Sequence, residues 1–408
     1  MTRELDAQWP RYSEETLQEL VETARSGGVS FELDDRPART LEHTATEVFG
    51  SSHALGLSSG TAALHCALLA LDVRPGVEVL CPTYTFFRTI TPLLLHGGIP
   101  VLVDSEPDHE NLDTPSLDDL VTSSTEGIVV THMMGHPCDL DAVYAVARRH
   151  GLWVIEDASL AHGAVYRGTR IGAGPSDAVC FSLQGKKLVP AGQGGLLCTS
   201  RQDVFDKALL FSYFRPRLGT DIPEGRGWDE FLHSGFGFNF QIHPLGAILA
   251  TSHLRDLDRN VVLRDRSCAM LREGLAESTL VAPPVVREYA TRHSWYRFRA
   301  IVRDPDAVDI GLYVRALQAE GVSVRRKRDP LLHEEPLLVG DSSARPEFAR
   351  YLRPGMCARG EYPNAVRLAE NTLELDFPLV PDPEYVEQVL GAFAKVEAEL
   401  PTLAQVRV

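Results

Sequence analysis

Between about residues 55 and 200, short apolar runs alternate with longer stretches of helical period. VEVLCP is followed by a helix predicted through Thr89 to His96, then PVLVD, a helical SLDDLVTS and GIVVTH. LDAVYAVARRH reads as an amphipathic helix, and LWVIED, AVCFSL and GGLLCTS as three more strands. Near-continuous apolar strands separated by helical crossovers predict an α/β fold with a mostly parallel sheet covered on both faces. In such sheets ligands gather at the carboxyl ends of the strands. Asp157 follows WVIE, Thr85 and Phe86 follow VEVLCP, and Ser182 ends AVCF, so the polar residues of interest fall on that edge.

Beyond about residue 255 the pattern changes. A helical stretch to roughly Glu277, a proline-bearing joint at VAPPVV, a strand-like WYRFRAIV, a helix DIGLYVRALQAEG and a final helix EYVEQVLGAFAKVEAEL predict a smaller α+β domain. A chain of 408 residues exceeds what one core usually supports. The expected division is a large domain with an N-terminal arm over 1–255 and a small C-terminal domain over 256–408.

Composition narrows the function. The 56 acidic against 40 basic residues leave a net charge of −16, the wrong sign for a nucleic-acid backbone or an anionic membrane. No segment approaches the roughly 18 apolar residues of a membrane span, and MTRELDAQWPRYSEE lacks the apolar stretch of a secretory signal. Cys66, Cys81, Cys138, Cys180, Cys198, Cys268 and Cys357 are scattered without a CxxC pair, as expected of reduced thiols in a cytoplasmic protein.

The chemistry concentrates in three segments. FSLQGKKLVPAGQGG places Lys186 and Lys187 between a strand and a glycine-rich return into a second strand, which can hold an amine over a binding site. LSSGTAALHCAL reads as a strand end, a turn at Ser58 to Thr61 and a helix, whose first N–H groups and positive dipole end suit an anion or serve as an ordinary N-cap. Asp157 closes the apolar run of VIEDASLAHGA, where an ionised carboxylate needs a partner: a pyridinium N–H, a capped backbone or an arginine. Together these are the parts expected around pyridoxal phosphate. Lys187 is the better Schiff-base candidate, since desolvation would lower its pKa and free the amine, with Ser182 offering a hydroxyl to phosphate and Phe86 a flat face for a ring.

Other patterns carry plainer readings. His132 and His136 have helical metal-ligand spacing, but Gly135 and Pro137 break any helix there, so no metal is expected. GQGG opens into a strand and is not a dinucleotide fingerprint. Arg325, Arg326, Lys327 and Arg328 form either a solvated surface or a mouth attracting an anionic substrate.

SSGTAAL, PTYTFFRT, HMMGHPCDLDAV, VIEDASLAHGA, FSLQGKKLVPAGQGG, GFNFQIHPLGA and PLLHEEP together resemble the DegT/DnrJ/EryC1/StrS family of sugar aminotransferases, across nearly the whole chain. The resemblance implies fold type I: a large domain with a seven-stranded sheet plus a smaller C-terminal domain. It also implies a cytoplasmic homodimer with shared sites. By position, Lys187 aligns with the Schiff-base lysine, Asp157 with the partner of the pyridine nitrogen, and Phe86 with the stacking ring. Gly60, Thr61 and Ser182 align with the phosphate seat, and Asn239 with an asparagine given by a second subunit. The implied activity moves an amino group from glutamate or glutamine to a keto-sugar, nucleotide-linked sugar or keto-cyclitol. Three departures, Leu160 for Gln or His, Gln193 in place of the glutamate of GEGG and Gln241 for Arg, keep other chemistry open. WPRYSEE and FSLQGKK are also similar to the aminohydroxybenzoate synthase branch, implying a dehydratase or aromatase, and a cofactor-binding sensor without catalysis is the third expectation.

Overall fold

A computed structural model describes residues 9–30, 32–213, 217–339, 361–376 and 383–403. Its centre is a seven-stranded sheet formed by β1 (His53–Leu57), β2 (Glu78–Pro82), β3 (Ile99–Val103), β4 (Thr125–Thr131), β5 (Trp153–Asp157), β6 (Ala178–Ser182) and β7 (Gly195–Thr199). The spatial order is β1-β7-β6-β5-β4-β2-β3, and β7 alone runs against the rest. β2, β5, β6 and β7 are buried almost throughout, as required of strands covered on both faces. The expected mostly parallel sheet is therefore present.

Helices α1 (Glu14–Arg25), α2 (Arg36–Phe49), α3 (Gly60–Ala70), α4 (Leu140–His150), α5 (Gln202–Ser212) and α6 (Pro244–Arg255) flank this sheet. α3 begins where the Ala62 N–H donates to the Ser59 hydroxyl at 3.0 Å, and it packs on both α5 and β7. α4 has the bounds of LDAVYAVARRH, from the Asp139 N-cap to Gly151 in the left-handed region at φ 67°. SLDDLVTS forms only a four-residue helix, Leu117–Leu120. Just beyond it the Thr122 N–H donates to the Thr125 hydroxyl at 2.9 Å and the Thr125 N–H to the Thr122 carbonyl at 3.2 Å, and that turn ends the helix. The helix expected through Thr89 to His96 resolves into a tight turn at Phe87–Thr89 and a short helix, Thr91–Leu95.

The second unit holds an antiparallel sheet ordered β8 (Val281–Ala282), β9 (Phe298–Val302), β11 (Thr372–Leu375) and β10 (Val324–Arg326). α7 (Leu257–Leu275), α8 (Ile310–Ala319) and α10 (Pro383–Leu403) enclose its own core, which includes Phe298, Tyr313 and Phe393. α9 (Pro363–Asn371) packs Ala365 and Leu368 against the large core instead. We propose that the two domains divide near 255, where Asp256 separates α6 from α7, with Leu257 and Val261 still seated in the large core and Cys268 and Leu271 in the small one.

Candidate active site

Asp157 is the last residue of β5, at the carboxyl edge of the sheet, with 5% of its surface exposed. The Thr89 hydroxyl donates to its Oδ2 at 2.7 Å and the Ser159 N–H to its Oδ1 at 3.1 Å. A carboxylate only accepts, so the direction of the adjoining hydroxyl chain is fixed. Thr89 spends its proton on Asp157, Thr85 then donates to Thr89 at 3.0 Å, and Thr131 to Thr85 at 3.0 Å. Among the described residues Asp157 forms no ion pair, so the arginine alternative is not realised.

Lys187 sits in the loop joining β6 to its antiparallel neighbour β7. The loop is closed by Leu183 N–H to Gly194 O at 2.8 Å, Gly185 N–H to Gly192 O at 3.0 Å and Ala191 N–H to Leu183 O at 2.7 Å. The half-buried Lys187 directs its Nζ at the Tyr296 ring, 4.5 Å from the centroid. Burial drives its amine down to about 8, with the Asp157 carboxylate opposing the fall and the nearby Arg297 guanidinium adding to it. Lys186 is exposed and uses its N–H on Gln184 Oε1 at 2.9 Å. Two further contacts reach the same loop from the N-terminal arm: Trp9 Nε1 donates to the Lys187 carbonyl at 3.2 Å, and Tyr12 lies against Pro190.

The helix start and the end of β6 converge beside these groups. A Cβ at Gly60 would stand 3.0 Å from Ser182 Cβ and 3.4 Å from Ser159 Oγ, and one at Gly195 would overlap the Ser59 carbonyl carbon at 2.3 Å. Glycine at both positions thus lets β7, the N-terminus of α3 and Ser182 close on one small volume, with Thr61 half-buried in the first turn. His162, buried behind this group, is pushed down to about 3 by desolvation and by the Lys187 charge, and is neutral.

Gly60, Thr61, Asp157, Ser182 and Lys187 are therefore gathered at one edge of the sheet. Phe86 stands on that rim with 59% of its surface exposed, its ring 4.5 Å from that of Phe87. Asn239 is apart from the group: it lies in an exposed loop with Phe236 and Phe238 and makes no hydrogen bond among the described residues. That loop is anchored by Ser58 N–H to Phe240 O at 2.7 Å. Of the three departures, Leu160 packs against the large core, Gln193 is exposed, and Gln241 buries an Nε2 that has no partner within the described residues.

The sequence reading did not single out Thr89, Thr131, Ser159, Tyr296 or Arg297. The Thr85 to Thr89 spacing was a local signal, whereas nothing near Tyr296 and Arg297 in the chain points to a lysine more than a hundred positions away. His132 Nε2 pairs with Glu156 Oε2 at 2.8 Å in full burial, and the described residues contain no group of three or more potential metal ligands. Arg325 pairs with Glu374 and Asp376, Lys327 with Asp329 and Arg328 with Glu334, which favours the surface reading of that cluster. The six described cysteines are buried and free, and Cys357 lies outside the described residues. No described helix is long and apolar enough to cross a membrane.

A mostly parallel seven-stranded sheet with one reversed strand is the architecture of the fold-type-I pyridoxal-phosphate aminotransferases. The chain belongs to the DegT/DnrJ/EryC1/StrS aminotransferase family, whose pattern it matches over residues 10–349. Over 405 residues it is 32% identical to the L-glutamine:scyllo-inosose aminotransferase of Streptomyces griseus, covering 95% of this chain and 93% of that one. Over 294 residues it is 32% identical to the GDP-perosamine synthase of Caulobacter vibrioides, covering 72% and 75%. The crystal structure of 3-amino-5-hydroxybenzoic acid synthase superposes with a TM-score of 0.80 at 24% identity over 96% of this chain and 98% of that one, a likeness of fold.

Proposed function

We propose that this chain is a cytoplasmic pyridoxal-phosphate-dependent aminotransferase that moves an amino group from glutamate or glutamine to a keto-sugar or keto-cyclitol. The observation that carries the reading is the Lys187 amine, held near Asp157 and brought down to about 8 by burial. The residues fit the cofactor on three counts. The missing Cβ of Gly60 lets Ser182 pack directly against the start of α3, so that its side chain and the first N–H groups of the helix lie side by side, a seat for phosphate. Asp157 keeps acceptor capacity beyond its two bonds, and the exposed ring of Phe86 stands at the same rim. When bound, pyridoxal phosphate supplies an electron sink for the carbon that loses its proton.

The protein's own groups do the rest. With its pKa near 8 Lys187 is about one-tenth neutral at pH 7, against well under a hundredth for an ordinary lysine, so Nζ is ready to react and to carry a proton to and from the substrate carbon. Thr89 and Ser159 orient Asp157, whose carboxylate would accept the ring N–H of the cofactor. The backbone N–H groups at Gly60 and Thr61, with the Ser182 hydroxyl, would hold the phosphate, and in a homodimer Asn239 of the partner subunit would complete the seat. The two named relatives, which act on an inosose and make an amino sugar nucleotide by their names, support a keto-cyclitol or keto-sugar as acceptor.

The test is direct. Protein loaded with pyridoxal phosphate should show a visible absorbance band, borohydride should fix the cofactor, and peptide mapping should find it on Lys187. Adding L-glutamine or L-glutamate should bleach the band, and Lys187→Ala should abolish turnover. A cofactor fixed to any other lysine, or a band indifferent to every amino donor, overturns the reading.

A further inference from the structure

Arg297 is a second cation at the same place, and its bonding capacity is unspent. Its guanidinium lies over the Tyr296 ring, 4.9 Å from the centroid, while Lys187 Nζ lies 4.5 Å from the same centroid. The backbone here is fixed: Tyr296 N–H donates to Met134 O at 2.7 Å, just past the end of β4, and Arg264 donates to the carbonyls of Trp295 and Tyr296. Arg297 is the residue before β9, so the small sheet delivers it to the carboxyl edge of the large one.

The Arg297 side chain is 19% exposed, and none of its donors makes a hydrogen bond to a described residue. Among the described residues its one ion-pair contact is Nε to Glu374 Oε1 at 3.7 Å, longer than a hydrogen bond. Glu374 is already occupied: Arg299 donates to Oε2 through Nε at 3.0 Å and Nη2 at 2.8 Å, and Arg325 donates to Oε1. The planar fork of five donors is unbonded and its nitrogens still reach solvent, so it is open to an anion entering the site.

We propose that Arg297 seats the α-carboxylate of the amino donor. An L-amino acid carries that carboxylate on the carbon that bears its amine, so bringing the amine to Lys187 brings an anion toward the neighbouring guanidinium. This rests on the aminotransferase reading above. A phosphate of a nucleotide-linked acceptor offers the same chemistry, and the experiment separates the two.

Dissociation constants are read from the absorbance of the cofactor-loaded protein for L-glutamine against 4-aminobutanamide, and for L-glutamate against 4-aminobutyrate; each second compound lacks only the α-carboxylate. The parent should prefer the amino acid by roughly tenfold or more. Arg297→Gln should lose most of that preference at unchanged cofactor affinity, and Arg297→Lys should recover part of it. In cofactor-free protein the pH midpoint for acylation of Lys187 should rise above about 8 in Arg297→Gln, because a neighbouring cation is gone. A preference that survives in Arg297→Gln, or an unmoved midpoint, overturns the assignment. So does a loss confined to GDP binding measured by calorimetry, which would make phosphate the anion. A parent whose absorbance answers no amino acid removes the aminotransferase reading and this one together.

Discussion

Asp157 depends on one hydroxyl. Thr89 gives its proton to Oδ2 and is itself oriented by Thr85 and Thr131, so an isosteric Thr89→Val removes the donor and leaves the volume. Turnover per bound cofactor is expected to fall by roughly ten- to a hundredfold, with a thermal midpoint close to that of the parent, as checked by steady-state kinetics and a melting curve. Lys187 makes the complementary case. Its folded pKa of about 8 lies below the ordinary 10.5, so the unfolded state holds the extra proton between those values and stability rises with pH across that window. Below about 8 the amine is charged in both states and the cost of burying it is full. Lys187→Met should therefore raise the melting temperature of cofactor-free protein at pH 7, and the gain should shrink as pH climbs toward 10.5. That Lys187 and Asp157 would stand at the same edge of the sheet was legible, because each closes a recognisable local pattern. The threonine relay and Arg297 were not, because their meaning depends on which strand ends meet in space.

At the scale of elements, α2 is bound to the edge of the sheet by a carboxylate. Glu42 accepts from Arg217 Nη1 at 2.8 Å and Nη2 at 2.6 Å, and from the Gly56 N–H of β1 at 2.8 Å, all in burial. Glu42→Ala leaves a buried guanidinium short of its main partner and should cost about 3–5 kcal/mol, measurable by urea denaturation. α4 was readable to the residue because its cap, its apolar stripe and its terminal glycine agree. The hairpin of Ser105–Glu106 and His109–Leu112 was missed for the opposite reason. SEPDHENL carries no alternation, and the segment is held from outside by Asn111 Nδ2 donating to Pro137 O and by Asn364 reaching back to Ser105 O.

For the whole molecule, Arg299 joins the two units. From β9 it donates to the Tyr84 hydroxyl at 3.1 Å and to Asp329 Oδ2 at 2.5 Å, besides Glu374, so the small sheet is tied to the loop that carries Thr85 and Phe86. The proposed homodimer puts Lys187 and Asn239 of one site on different chains. Lys187→Ala and Asn239→Ala proteins should each be nearly inactive, and refolding them together should restore up to about a quarter of parent activity, since one site of each hybrid is intact. Mixed protein with no recovery would place Asn239 and Lys187 in the same subunit's site. The parallel sheet was legible in the alternation of strands and helices. The proposed interface rests on resemblance alone, because nothing in the residues of the exposed loop GFGFNF says that a second chain would cover it.

β7, the one strand that runs backwards, has a consequence for how the reaction must proceed. A crossover to a parallel neighbour would have hung Lys187 on a long excursion free to swing. A return into an antiparallel neighbour instead stitches the loop shut on both sides, so the backbone of Lys187 is held and the reach of its nitrogen is that of a four-carbon tether. In the proposed reaction, donor and acceptor would travel to it and each exchange would begin from the same anchor, which is how a bimolecular encounter is turned into a local one.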